Sequence, residues 1–170
     1  PDQVEAAAPR ALAQFAAVLD AARAPQQQSD LAARLILASR DCESPLEQYA
    51  LLARAGELAA SAADARVALQ VADERARWFE VDALVEKSEA LAGLLAHTPS
   101  ATRSKVIARR ALELADTAVN DQRTELAKTL ADTALAAAKK SRDAELVKTV
   151  TDRRREITAL VKKSAKSEGK

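Results

Sequence analysis

The chain has one cysteine, one histidine, no methionine and only four aromatic residues, one Trp, one Tyr and two Phe. A lone Cys42 excludes an intramolecular disulfide and leaves the redox compartment unread. Metal sites need several His, Cys or carboxylate ligands that converge, so His97 and Cys42, each the sole residue of its kind, predict no metal site. The glycines are just as sparse. Gly56, Gly93 and Gly169 stand apart, which excludes a glycine-rich phosphate loop and a Gly-x-Ser-x-Gly elbow. The first two fall inside helical stretches, where they are expected to permit close packing. No Glu-x-x-His pair is present for a helical di-metal bundle. Cys42 lies between Asp41 and Glu43, whose charge raises a thiol pKa and dulls the nucleophile, so it reads as incidental. His97 precedes Thr98-Pro99 at a helix end and reads as a solvated cation against the helix dipole. The expectation is a non-enzyme without cofactor.

Long apolar runs are missing too. None approaches the roughly 18 residues of a membrane span, and no signal-peptide pattern is present. The chain begins at Pro1 without a methionine. It is therefore expected to be a processed product or a piece of a longer protein, with an extracytoplasmic compartment left open.

What remains is helix-forming. Alanine supplies 42 of 170 residues, and it has the best helix propensity, followed by the Leu, Arg, Lys, Glu and Gln that make up much of the rest. No stretch alternates β-branched and polar residues as a half-buried strand does. Charged residues are 30% of the chain yet balance to a formal +1, which argues against whole-body electrostatic binding. The balance is uneven along the chain. Residues 139–170 carry 11 Lys/Arg and 5 Asp/Glu, while residues 1–138 carry 15 and 20.

Capping signals divide the chain into about eight helices. The first is expected from Pro9 to Ala24, with Leu12, Phe15, Ala16 and Leu19 on one stripe, and Pro25-Gln26-Gln27-Gln28 reads as a loop. Ser29 or Asp30 is expected to start a short helix ending near Asp41. Ser44-Pro45-Leu46-Glu47 is a strong start signal for a helix to Ala62. Asp64, Asp82, Ser100, Asp121 and Asp143 are read as the caps of the next five, ending near Phe79, Ala96, Val119, Lys140 and Lys163. Turns this short make successive helices antiparallel. One domain over 1–170 is expected, with residues 1–8 frayed and 164–170 a disordered tail. Leu58, Leu69, Phe79, Leu114, Leu126 and Leu146 are the expected core.

The chain also echoes itself. Ser44, Arg54, Ala55, Glu57, Leu58, Ala59 and Ala62 recur as Ser100, Arg110, Ala111, Glu113, Leu114, Ala115 and Ala118. Glu125-Leu126, Lys128-Thr129 and Asp132 recur as Glu145-Leu146, Lys148-Thr149 and Asp152, and Leu114-Ala-Asp-Thr-Ala118 recurs verbatim as Leu130-Ala-Asp-Thr-Ala134. A helical hairpin cannot bury its own apolar faces, and stacking hairpins does. The Ala-x-x-Leu-x-x-Ala pairing, followed by a helix with Ala-x-x-x-Ala/Phe, resembles tetratricopeptide-type repeats. Residues 44–92 and 108–157 are similar to Ala-rich helical modules of large bacterial multidomain proteins. That resemblance implies an all-α solenoid of stacked antiparallel hairpins, about four in a right-handed stack, and a protein or peptide partner.

Two surfaces stand out as candidate binding residues. Trp78, aligned with Val71 and Arg75, either covers the junction at Asp82 or faces a ligand. On the last helix, Leu146, Val150, Ile157, Leu160 and Val161 form an apolar stripe, with Lys148, Arg155, Lys162 and Lys166 opposite. The stripe reads as the solvated face of a terminal cap. The sharper alternative is contact with nucleic acid or an anionic surface, weakened by the want of interleaved aromatics. The expectation is a scaffold or protein-interaction module, with nucleic acid an unlikely partner.

Overall fold

Alanine-rich segments punctuated by Ser, Asp and Pro form helices, and helices alone, among the described residues. The computed structural model describes residues 8–98 and 100–168, with the side chains of 164–168 left aside. Residues 8–12 are helical and lead through a 3₁₀ turn, Ala13–Phe15, into α1 (Ala16–Ala21). Seven longer helices follow: α2 (Pro25–Arg40), α3 (Pro45–Ala62), α4 (Ala65–Trp78), α5 (Ala83–His97), α6 (Ala101–Asn120), α7 (Thr124–Ser141) and α8 (Ala144–Glu168). Eight α-helices among the described residues match the number expected. The chain groups into two compact units, Pro1–Ala90 and Leu91–Lys170, with the boundary inside α5. The fraying expected at 1–8 falls almost wholly outside the described residues, as do the ends of the expected tail.

Several caps act as their residue types dictate. The Ser44 hydroxyl accepts from the Glu47 amide at 3.4 Å, and Ser100 from Arg103 at 3.4 Å. Asp64 accepts from Arg66 and Val67, Asp82 from Leu84 and Val85, and Asp143 from Leu146. Others differ from expectation. Pro25 opens α2 instead of a loop, because its fixed φ suits a first helical position. The Gln27 Oε1 accepts from the Arg23 and Ala24 amides, so it caps the helix from inside. Ser29, expected as a cap, is buried within α2. The first helix is not continuous to Ala24 but tightens to 3₁₀ and stops at Ala21, burying Phe15 and leaving Ala16 exposed. Asp121 does not open α7. The chain turns left-handed at Gln122 (φ 60°), the Arg123 amide closes back on the Ala118 carbonyl at 2.8 Å, and α7 starts at Thr124. α8 continues to Glu168.

In the first unit α2 packs on α3, α3 on α4, and α2 also meets α4. Its core is Leu31, Leu35, Ile36, Leu51, Leu52, Leu58, Val67 and Val71 with interspersed alanines. Arg40 of α2 forms an ion pair with Glu74 of α4, and Arg75 and Asp73 of α4 pair with Glu86 and Lys87 of α5 at 3.2 and 2.6 Å. In the second unit α6 packs on α7 and α7 on α8, with a lesser α6–α8 contact. Here the α6–α7 interior is largely alanine: Ala108, Ala111, Ala115 and Ala118 on α6, and Ala127, Ala131, Ala134, Ala137 and Ala138 on α7 are all fully buried.

That alanine interior corrects the expected core. Of the six leucine and phenylalanine positions, only Leu58 is buried. Leu69, Phe79, Leu114, Leu126 and Leu146 are half-buried. Helix separation depends on the side chains at the contact, and alanine lets two backbones approach until a leucine no longer fits between them. Leucines one position away, such as Leu114 beside Ala115, are displaced to the flank. The glycines also differ from expectation. A Cβ on Gly56 would meet Val71 Cγ1 at 3.7 Å, an ordinary contact, and one on Gly93 would meet nothing within 4 Å.

The recurring stretches share several features, although Leu58 is buried and its counterpart Leu114 only half-buried. Arg54–Glu57 and Arg110–Glu113 form the same i,i+3 ion pair, at 2.5 and 2.7 Å. Ala55, Ala59 and Ala62, and their counterparts Ala111, Ala115 and Ala118, are all buried. In the verbatim pair, Asp116 takes Arg153 of α8 at 2.7 Å while Asp132 takes Arg154. Thr117 and Thr133 each donate to the carbonyl four residues back, at 3.2 and 3.1 Å. One five-residue motif thus supplies both sides of the seat on which α8 lies.

Candidate binding surfaces

α3 carries more apolar residues than one stripe can hold: Leu51, Leu52 and Leu58 face inward, while Leu46 and Tyr49 are 38% and 37% exposed. Tyr49 faces a groove of about 940 Å³ between α3 and the N-terminal segment. Leu12, Ala16 and Leu19 form one wall and Tyr49, Ala50 and Ala53 the other, with Asp20 and the paired Arg54 and Glu57 at the rim. Sequence reasoning passed over this site. Its signal was the surplus of large apolar side chains around α3, since a helix apolar beyond one face needs a second partner.

Tyr49 also anchors an aromatic group. Phe79 meets its ring edge-on, 5.4 Å between centroids at 85°, and the Arg75 guanidinium lies 5.4 Å from the same centroid. Arg75, one of the expected binding residues, is thus engaged twice, by Tyr49 and by Glu86. Phe79 follows the end of α4 in extended conformation (φ −126°, ψ 153°). Trp78 is 45% exposed. Its indole Nε1 donates to Glu74 Oε2 at 3.2 Å, and Arg77 lies over the ring at 5.3 Å. Val81, beyond the end of α4, is 41% exposed.

Beside Trp78 sits a strongly organised charge, the carboxylate of Glu74. Burial alone pushes the Glu74 carboxyl up. Hydrogen bonds from Arg40 and Trp78, with the charges of Arg40 and Arg77, more than reverse this and hold it below the usual carboxylate range. Cys42 has the opposite balance. Partial burial first, then Glu47 and Asp41, raise its thiol pKa, and its Sγ donates to the Ala38 carbonyl at 3.5 Å. That is the environment of an inert thiol. His97 is exposed at the end of α5. Among the described residues no three His, Cys, Asp or Glu side chains are grouped to hold a metal ion, and no helix is long and apolar enough to cross a membrane.

On α8, Val150 and Ile157 are buried, Leu146 and Val161 half-buried and Leu160 41% exposed. Three consecutive arginines leave the helix in three directions, as 100° steps require. Arg153 reaches Asp116 on α6, Arg154 reaches Asp132 on α7, and Arg155 points away with Asp152 at 3.5 Å. Lys148, Arg155 and Lys162 are exposed on the outer face, and the side chain of Lys166 lies outside the described residues. Trp78 and Arg75 belong to the first unit and the basic stripe to the second.

No protein-family model matches the sequence, and no curated protein or solved structure matches it significantly.

Proposed function

We propose that the chain is a non-catalytic scaffold or protein-interaction module, and that its helical hairpins stack in the manner of tetratricopeptide-type repeats. The duplicated stretches support the repeat reading through their matching caps, ion pairs and buried alanines. The groove beside Tyr49 carries the interaction reading. Monomeric proteins rarely leave contiguous apolar surface uncovered without a use for it. Here Leu12, Leu19 and Tyr49 face a cleft whose rim charges are already paired or peripheral. A hydrophobic floor with a polar rim is the anatomy of a protein interface, and tyrosine is among the residues that dominate such contacts. A peptide or protein segment, with apolar side chains set into the groove, is the occupant this chemistry suits.

Site-directed photocrosslinking tests it. A photoreactive amino acid at position 53, on the groove wall, is expected to yield one discrete protein adduct in the source cells. The adduct should vanish with Tyr49→Glu and be absent when the probe sits at Ala136, exposed on α7. A smear of adducts common to both positions, or none, rejects the groove as an interface.

A further inference from the structure

The division into two units sharpens the charge asymmetry of the sequence. Residues 1–90 carry 9 Lys/Arg and 15 Asp/Glu, net −6, whereas residues 91–170 carry 17 and 10, net +7. A near-neutral chain thus holds a strongly basic unit. Part of that positive charge is used internally. Arg153 and Arg154 are drawn into α6 and α7, Lys105 pairs with Asp143 at 2.5 Å, and Lys140 donates to the Leu95 carbonyl at 2.8 Å.

Three of the other cations, all on α8, are aligned. Lys148, Arg155 and Lys162 are exposed at spacings of seven, which keeps them on one face with a drift of only about 20° per heptad. The row covers about 21 Å at 1.5 Å per residue. Arg142 is exposed in the turn just before α8. Arg109 adds its charge at the same corner, where it acts on Asp143. The carboxylates of α8 flank the row on one side. Asp152, Glu145 and Glu156 lie roughly 40–80° to one side of Lys148 by helical geometry, and Asp152 touches Arg155 only at 3.5 Å.

We propose that this face, Arg142, Lys148, Arg155 and Lys162, is a docking surface for the phosphodiester backbone of double-stranded nucleic acid, without base reading. The aromatics decide between forms of polyanion. All four lie in residues 1–90, so the basic unit has no Phe, Tyr or Trp, its His97 imidazole stands on α5 and α8 itself has no ring, whereas single-strand binders rely on successive aromatic platforms. An interfacial membrane helix sets large apolar residues into the lipid. The exposed candidate on α8, Leu160, stands about 140° around the helix from Arg155. Backbone contact alone fits a row of separated, flexible cations.

Fluorescence anisotropy with a labelled 20-base-pair DNA duplex, and an RNA duplex of the same sequence, tests the assignment on the full chain. Four phosphate contacts give a log–log salt slope of about −3.6, so affinity should fall about 150-fold from 50 to 200 mM salt. Reversing Lys148, Arg155 and Lys162 to Glu should abolish binding with unchanged circular dichroism. The same charge change at Arg23, Arg34 and Arg66 should leave binding nearly intact. Absence of duplex binding at 50 mM salt overturns the proposal, as does equal loss in both triple variants. Tighter binding to the single strand removes the duplex assignment. Stronger retention on phosphatidylserine vesicles, or salt-sensitive self-association without duplex binding, transfers the face to a membrane or to the acidic unit of a second copy.

Discussion

Individual residues in this chain do more than their types suggest, and Glu74 is the clearest case. It is nearly buried, accepts from both Arg40 and Trp78, and joins α2 to α4. Its folded pKa is depressed. Its contribution to stability is therefore complete above the unfolded carboxylate value of about 4.3 and is lost as the pH falls through the lower folded value. Glu74→Gln should destabilise the protein by about 1.5–3 kcal/mol at pH 7, the range for hydrogen bonds to charged groups. In urea titrations that difference should be constant from pH 6 to 8 and should shrink below pH 4. A pH-independent difference would show that the loss is one of shape. Gly93 makes the opposite argument. With nothing within 4 Å of an added Cβ and a mid-helix position in α5, Gly93→Ala should stabilise by about 0.5–1 kcal/mol, the entropic cost of a helical glycine. A destabilised variant would mean that α5 needs the glycine.

Pairs of helices show where sequence reading misplaced the core. The pattern of leucines nominated Leu114, but the buried residues of α6 and α7 are mostly alanines, with Ile107 and Leu130 as the large ones. Leu130→Ala should cost about 2–4 kcal/mol, as large-to-small core changes do, and Leu114→Ala clearly less. Ala115→Leu should cost about 1–3 kcal/mol through overpacking. Denaturant midpoints at constant slope measure all three, and equal losses for Leu130→Ala and Leu114→Ala would restore the leucine-based core. Helix starts were more legible than helix ends. Ser44, Asp64, Asp82, Ser100 and Asp143 are local hydrogen-bond acceptors that act within three residues. Where Asp121 was expected to cap, the α6 terminus instead closed on itself through Gln122, and backbone geometry of that kind has no side-chain signature unless glycine marks it.

At the scale of the whole molecule, the repeated Leu-Ala-Asp-Thr-Ala motif links sequence to assembly. Asp116 and Asp132 hold Arg153 and Arg154 from two sides, so α8 depends on both. Each partly exposed pair alone contributes about 0–1 kcal/mol. The double variant Asp116→Ala with Asp132→Ala should speed amide exchange along α8 while leaving α2–α4 protected, because exchange follows cooperative units. Uniform acceleration across the chain would show that α8 is not separately seated.

Composition by itself determined that this chain is helical, since alanine with Leu, Lys, Arg and Glu leaves the backbone no better alternative. It also determined most helix starts and the basic character of the last helix. Those properties are local, set by propensity and by caps a few residues apart. Tertiary structure decided which face of each helix is core, because alanine interiors exclude leucines only once two backbones have met. It decided that Arg153 and Arg154 turn inward while Arg155 stays outside, and that Tyr49 borders a groove. Each depends on a partner 22 or more residues away in sequence, or on an element that the helical period of one segment does not encode.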